Sequence, residues 1–137
     1  MLETGSELGP WVMDRVDEGR MKIFANVLDD PNPLHLDPDA VRAKGLGDRV
    51  INQGPFGIGY LMNMLRTAVP EAKIEHLKAR LLANVFGGDR VVCAGRVGAI
   101  TDDGHVRRLH CEIWLDVDGA ARAITGTAML VLPGEPN

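Results

Sequence analysis

The sequence predicts an α+β domain in which one long buried helix is wrapped by a curved antiparallel β-sheet. Three observations carry this expectation. Between positions 56 and 68, Phe56, Ile58, Tyr60, Leu61, Met62, Met64, Leu65 and Ala68 lie too densely for a surface helix. Beyond Pro70 the apolar period becomes two, and Asp103-Gly104 and Asp118-Gly119 interrupt the alternation as hairpin turns do. The helical patterns come early and the strands late, which suits a helix packed on a meander. A small sheet with a two-helix layer on one face is the alternative arrangement.

Taken in order, Trp11-Val12-Met13 is a short first strand. From Met21 to Leu28 the residues Ile23, Phe24, Val27 and Leu28 recur at helical spacing, and Pro31 marks the stop. Asp37 before Pro38 fits an N-cap followed by proline at the first helical position, so a second short helix runs to about Lys44 or Gly45. Pro55 starts the long helix, in which Gly57 and Gly59 each cost about 1 kcal/mol relative to alanine. Close approach of another backbone or a ligand would account for them. Strands are expected over 74–82, over 90–100 with Val91, Cys93, Gly95, Val97 and Ala99 on one face, over a segment where Leu109, Cys111, Ile113 and Leu115 oppose Arg108, His110, Glu112 and Trp114, and over 121–132.

The 137 residues suit a single domain, 1–137, with a core that needs no disulfides. Aromatic residues make up only 4%, so aliphatic side chains carry the packing and stacking platforms for single-stranded nucleic acid are not expected. A net charge of -4 with interspersed signs gives no footprint for nucleic acid or an anionic membrane. Cys93 and Cys111 fall in apolar alternations and read as buried free thiols in a reducing compartment. Met1 to Pro10 lacks a basic start and apolar run, and no apolar segment reaches the roughly 18 residues of a membrane span. A soluble, cytoplasmic protein without membrane partners is expected.

Chemistry concentrates in Asp30-Pro31-Asn32-Pro33-Leu34-His35-Leu36-Asp37. The prolines restrict the chain and remove donors, presenting carboxylate, amide and imidazole on a preset loop. A carboxylate and an imidazole can move protons near neutral pH, so Asp30 and His35 are either an acid-base pair or a cap and a loop-bound histidine. Asn32 either forms a turn or orients the loop or the imidazole tautomer. Asp37 and Asp39 read as helix-start residues, and Asp30, His35 and Asp37 lack a recognised metal-ligand spacing. At the start of the buried helix, the Gly54 N–H, with Phe56 as a second candidate, is placed to stabilise an oxyanion; an ordinary helix start is the other reading. Pro55 has no N–H to offer.

These residues resemble the MaoC-like dehydratases, which include the R-specific enoyl-CoA hydratases. Phe24-Ala25, the stretch from Asp30 to Asp37 and Ala40 are similar to the hydratase signature, and Gly47-Asp48-Arg49-Val50-Ile51-Asn52-Gln53-Gly54 resembles the block that introduces the central helix. The resemblance covers about Val12 to Leu132. It implies a hotdog fold, pairing of two domains as a homodimer or heterodimer, and reversible hydration of trans-2-enoyl thioesters of coenzyme A or a carrier protein, with no cofactor or metal. It further implies that His35 takes a proton from water attacking C3, that Asp30 supplies or shuttles a proton to C2, that Asn32 supports their geometry, and that the Gly54 N–H binds the thioester oxygen. Pocket depth, and with it acyl length, would depend on Phe56, Tyr60 and Met64. Branched, steroid-derived or dicarboxylic acyl groups are alternative substrates. A noncatalytic thioester-binding subunit of a hetero-oligomeric dehydratase is the alternative role. Two departures stand out: Asp29 occupies a position where the signature commonly has glycine, and Gln53 one where many relatives have histidine.

Overall fold

The structure, a computed structural model, is described for residues 1–134. In chain order it comprises β1 (Glu7–Met13), α1 (Glu18–Leu28), a 3-10 turn (Pro33–His35), α2 (Pro38–Ala43), α3 (Gly54–Ala68), β2 (Lys73–Leu81), β3 (Val91–Asp102), β4 (Val106–Val117) and β5 (Arg122–Pro133). The five strands form one antiparallel sheet in the order β1-β3-β4-β5-β2. α3 lies against β1, β3 and β4, whereas α1 meets the 3-10 turn, so a single central helix packs on the sheet and the two-helix layer does not form. The result is a hotdog-like α+β fold.

The inner face of β4 carries Leu109, Cys111, Ile113 and Leu115, each at most 3% exposed, against Tyr60, Leu61, Met64 and Leu65 of α3. Burial pushes the Cys93 thiol up to about 12 and the Cys111 thiol up to about 11, so both are uncharged components of the core. On β3 the expected face holds only to Val97. A register shift between Val97 and Ala99 turns Ala99 outward, because a bulge adds one residue and reverses the alternation beyond it.

Three further differences follow from packing. β1 begins at Glu7 rather than Trp11, because Glu7 and Leu8 pair with Arg96 and Gly95 ahead of an irregularity at Gly9-Pro10 that breaks the local pattern. α1 turns a different face inward: Met21 and Ala25 are buried, while Ile23 is 65% and Val27 72% exposed. That helix sits beside the sheet, so one i, i+4 pair is enough to seat it. In α3, a Cβ at Gly57 would lie 2.9 Å from Ile124 Cδ1, which explains this glycine by close approach of the sheet; around Gly59 there is open space, and nothing in the structure explains it.

Candidate active site

The loop that carries Asp30 starts at the end of α1. Asp29 caps that helix at φ 51° and ψ 44°, the left-handed region, and its N–H bonds back to the helix carbonyls of Ala25 and Asn26. Among the described residues it is the one non-glycine residue with positive φ. Aspartate is one of the few side chains that tolerate this conformation, so the turn survives without glycine at this position. The Asp30 N–H then bonds to Ala25 O at 2.9 Å, reversing the chain.

Local bonds build the rest of the loop. Asp30 Oδ1 accepts from the Asn32 N–H at 3.3 Å, and Asn32 Oδ1 accepts from the Leu34 N–H at 3.1 Å, capping the 3-10 turn that ends at His35. Asp37 Oδ1 accepts from the Asp39 N–H and starts α2, as expected from the sequence, so it is engaged away from Asp30 and His35.

His35 Nδ1 lies 2.7 Å from the carbonyl oxygen of Ile51. A carbonyl only accepts, so Nδ1 carries the proton and the neutral ring presents a bare Nε2 lone pair. The tautomer is therefore set by Ile51, and Asn32 acts on the loop backbone instead. Nε2 stands 3.5 Å from Asp30 Oδ2, with the His35 side chain 13% and the Asp30 side chain 43% exposed. The two atoms are too far apart for a strong direct bond and close enough for one water to touch both.

Ile51 is itself pinned: its N–H donates to Leu34 O at 2.8 Å, and the next N–H, of Asn52, donates to Val85 O at 2.6 Å. These bonds bring the segment before α3 against the loop from one side and against the 85–86 stretch from the other. Gln53 is the N-cap residue of α3 but makes no side-chain cap bond. Its amide is turned inward, 1% exposed, and Nε2 donates to Met21 O at 2.8 Å, tying α1 to the start of α3.

Gly54 opens α3 and has no intrahelical acceptor, and its N–H has no partner among the described residues. Phe56 does not join it as a donor, because its N–H is taken by Gln53 O at 3.1 Å. Gly54, Gly57, His35, Asn52 and Gln53 line one cavity of about 270 Å³, closed otherwise by Leu34, Leu46, Leu81, Val85 and Ile124 among others. Phe56 and Tyr60 lie elsewhere, in an aromatic cluster with Phe24 and Trp11, and Met64 is in the core, so these three do not set the cavity depth. Gly57 and Ile124 stand in their place. Ile51 O, Asn52 and the 81–85 wall escaped sequence reasoning; the only hint was an Asn-Gln pair wedged between an apolar dipeptide and a helix start.

Comparisons with known proteins give the family and the fold. The family described as MaoC like domain matches residues 3–110. The (R)-specific enoyl-CoA hydratase of Aeromonas caviae is 31% identical over 121 residues, which cover 87% of this chain and 88% of that protein. The solved (R)-hydratase of A. caviae superposes with a TM-score of 0.82 at 28% identity, over 96% of this chain and 98% of that one. The unliganded R-hydratase of Pseudomonas aeruginosa superposes with a TM-score of 0.83 at 20% identity, over 98% of this chain and 84% of that one, a likeness of fold. The domain match spans most of the sheet and the similarity to one relative runs nearly end to end, so the chain belongs to the MaoC-like dehydratase family.

Proposed function

We propose that the protein catalyses R-specific hydration of trans-2-enoyl thioesters of coenzyme A or a carrier protein, and the reverse dehydration of 3-hydroxyacyl thioesters. The observation that carries this reading is the His35 Nδ1 bond to Ile51 O, which leaves Nε2 as a base beside Asp30 and on the same cavity as the Gly54 N–H. Similarity to the A. caviae (R)-specific enoyl-CoA hydratase supports it.

In the hydration direction the thioester oxygen accepts from the Gly54 N–H at the positive end of α3, which draws electrons away from C3. Water held by Asp30 and His35 adds its oxygen to C3 while His35 Nε2 takes one of its protons. The electron pair of the double bond moves toward C2 and the thioester, and C2 receives a proton by way of Asp30. The proton that His35 took passes to the Asp30 carboxylate and from there to C2, which leaves both groups as they began, so one water is consumed and nothing else changes. No redox step is involved.

His35→Ala and Asp30→Asn are each expected to lower kcat for crotonyl-CoA hydration by about 10²- to 10⁴-fold, the usual weight of a general acid or base. Loss of enone absorbance measures it, and chiral analysis of the product reads the stereochemistry. Unchanged turnover in both folded variants sinks the assignment.

The working unit in this reading is a homodimer. β2 pairs with β5 on one side only, and Leu81 and Leu82 at the end of this otherwise largely charged edge are 55% and 52% exposed, an apolar tip that a second copy would cover. Sedimentation at micromolar concentration should give twice the chain mass, and a monomer that hydrates crotonyl-CoA at full rate contradicts the pairing.

A further inference from the structure

The cavity beside His35 contains a polar element that the proposed reaction does not use. Asn52 is 6% exposed, and neither its Nδ2 nor its Oδ1 has a hydrogen-bond partner among the described residues; the same holds for Oε1 of the neighbouring Gln53. Buried polar groups are normally paired, and two successive side chains depart from that rule here. Both residues line the cavity shared by His35 and Gly54. The Asn52 amide is covered by protein, so contact with a ligand requires its side chain to turn toward the cavity.

We propose that Asn52, backed by Gln53 Oε1, is a specificity-determining residue that hydrogen-bonds a hydroxyl group carried on the acyl chain of the substrate. This inference rests on the thioester-hydratase reading and narrows its substrate class. The donor and acceptor inventory selects the group. Asn52 offers an NH2 with two N–H donors and a carbonyl acceptor, Gln53 offers a further acceptor in Oε1, and one N–H of the Gln53 amide is committed to Met21 O. A hydroxyl both accepts and donates, and it meets this set. A carboxylate would confront two carbonyl oxygens, and none of the residues lining the cavity is lysine or arginine.

The position on the chain also follows. Ile51, whose carbonyl fixes the imidazole, and Gly54, whose N–H faces the thioester, flank Asn52 in sequence. Asn52 shares the cavity with His35 and Gly54, so the hydroxyl is assigned to C4, the first chain carbon beyond the bond that changes. Apart from Asn84, the remaining wall, with Leu34, Leu46, Leu81, Val85 and Ile124, is apolar and suits the rest of a short chain.

The test compares trans-4-hydroxybut-2-enoyl-CoA with crotonyl-CoA, which differ by one hydroxyl oxygen. Calorimetric binding to the full chain is measured in a His35→Ala background, so that neither probe is consumed, with Asn52 and with Asn52→Leu or, should leucine not fit, Asn52→Val. The hydroxylated thioester is expected to bind at least tenfold more tightly than crotonyl-CoA when Asn52 is present, and the ratio to fall toward one when it is replaced. A ratio near one with Asn52 present, as when the cavity takes only water, or a ratio unmoved by the substitution, overturns the proposal. Crotonyl-CoA hydration by the unmodified protein reads the parent assignment separately: turnover with a binding ratio of one removes only the hydroxyl subsite, and failure of both thioesters to bind removes both. A purely structural Asn52 would instead show a lowered Tm in the variants with an unchanged ratio.

Discussion

The two walls of the cavity are built by opposite means. The Asp29–His35 wall, which meets the cavity through Leu34 and His35, is built mainly by local bonds, from Asp29 and Asp30 back to Ala25, from Asn32 to Asp30 and from Leu34 to Asn32, with only Leu34 O and His35 Nδ1 reaching across to Ile51. The Ile51–Gly54 wall is buried and held from afar, by Leu34, Val85 and Met21, across 17 to 33 positions of sequence. The first can be reshaped residue by residue with local consequences. The second couples three elements at once, and it is also where polar groups are left unmet. Function needs both: a loop that presents Asp30 and His35, and a rigid frame whose Ile51 carbonyl decides which imidazole nitrogen is the base.

Gln53→Ala tests the long-range wall and should have the largest effect on stability. It removes the bond to Met21 O and leaves a void in a site 1% exposed, a loss of about 2–3 kcal/mol that thermal unfolding would register as a substantial fall in Tm. Gln53→Leu keeps most of the volume and deletes the unmet Oε1, so it should lose less than half as much. Equal Tm values for Gln53→Ala and the unmodified protein would break the contrast between the walls. Activity should fall in both variants, because α1 no longer reports the position of Asp30 to the start of α3.

Asn32→Ala tests the local wall. Its cap on the 3-10 turn is worth about 1 kcal/mol, and the side chain is exposed, so the fall in Tm should be smaller than for Gln53→Ala. Crotonyl-CoA turnover should drop further than stability does, with kcat reduced more than KM is raised, since the substitution loosens His35 without touching the cavity wall. A change confined to KM would mean that the turn does not position the base.

This contrast also explains what was legible in the sequence. Asp30, Asn32, His35 and Asp37 stood out because prolines and caps act over short spans, and the strand alternation from Leu109 to Leu115 survives intact because the bulge at Val97/Ala99 falls on the β3 side of the pair and the shift against β5 comes only after Leu115. The inward face of α1 was misread because Ile23 and Val27 are as apolar as Met21, and only the distant Gln53 and the sheet decide which of them is covered. Gly54 could be picked out from its place before a buried helix. Ile51 could not, because its contribution is a backbone carbonyl and depends on none of its side-chain chemistry.

Asp29→Gly is the smallest and most local of these tests. Left-handed backbone costs an ordinary L-residue about 1–2 kcal/mol and aspartate somewhat less, whereas glycine adopts it freely at an entropic cost of about 0.5–1 kcal/mol in the unfolded chain. The two effects nearly offset, so the variant should unfold within a few degrees of the unmodified protein, on the stabilised side. The exposed Asp29 side chain makes no hydrogen bond among those found in the described residues, and its backbone bonds to Ala25 and Asn26 persist in glycine. Crotonyl-CoA turnover should therefore change less than twofold. A large loss of activity at unchanged Tm would show that the Asp29 carboxylate, and not merely its backbone, acts on Asp30, and the wall would then be less self-contained than its hydrogen bonds indicate.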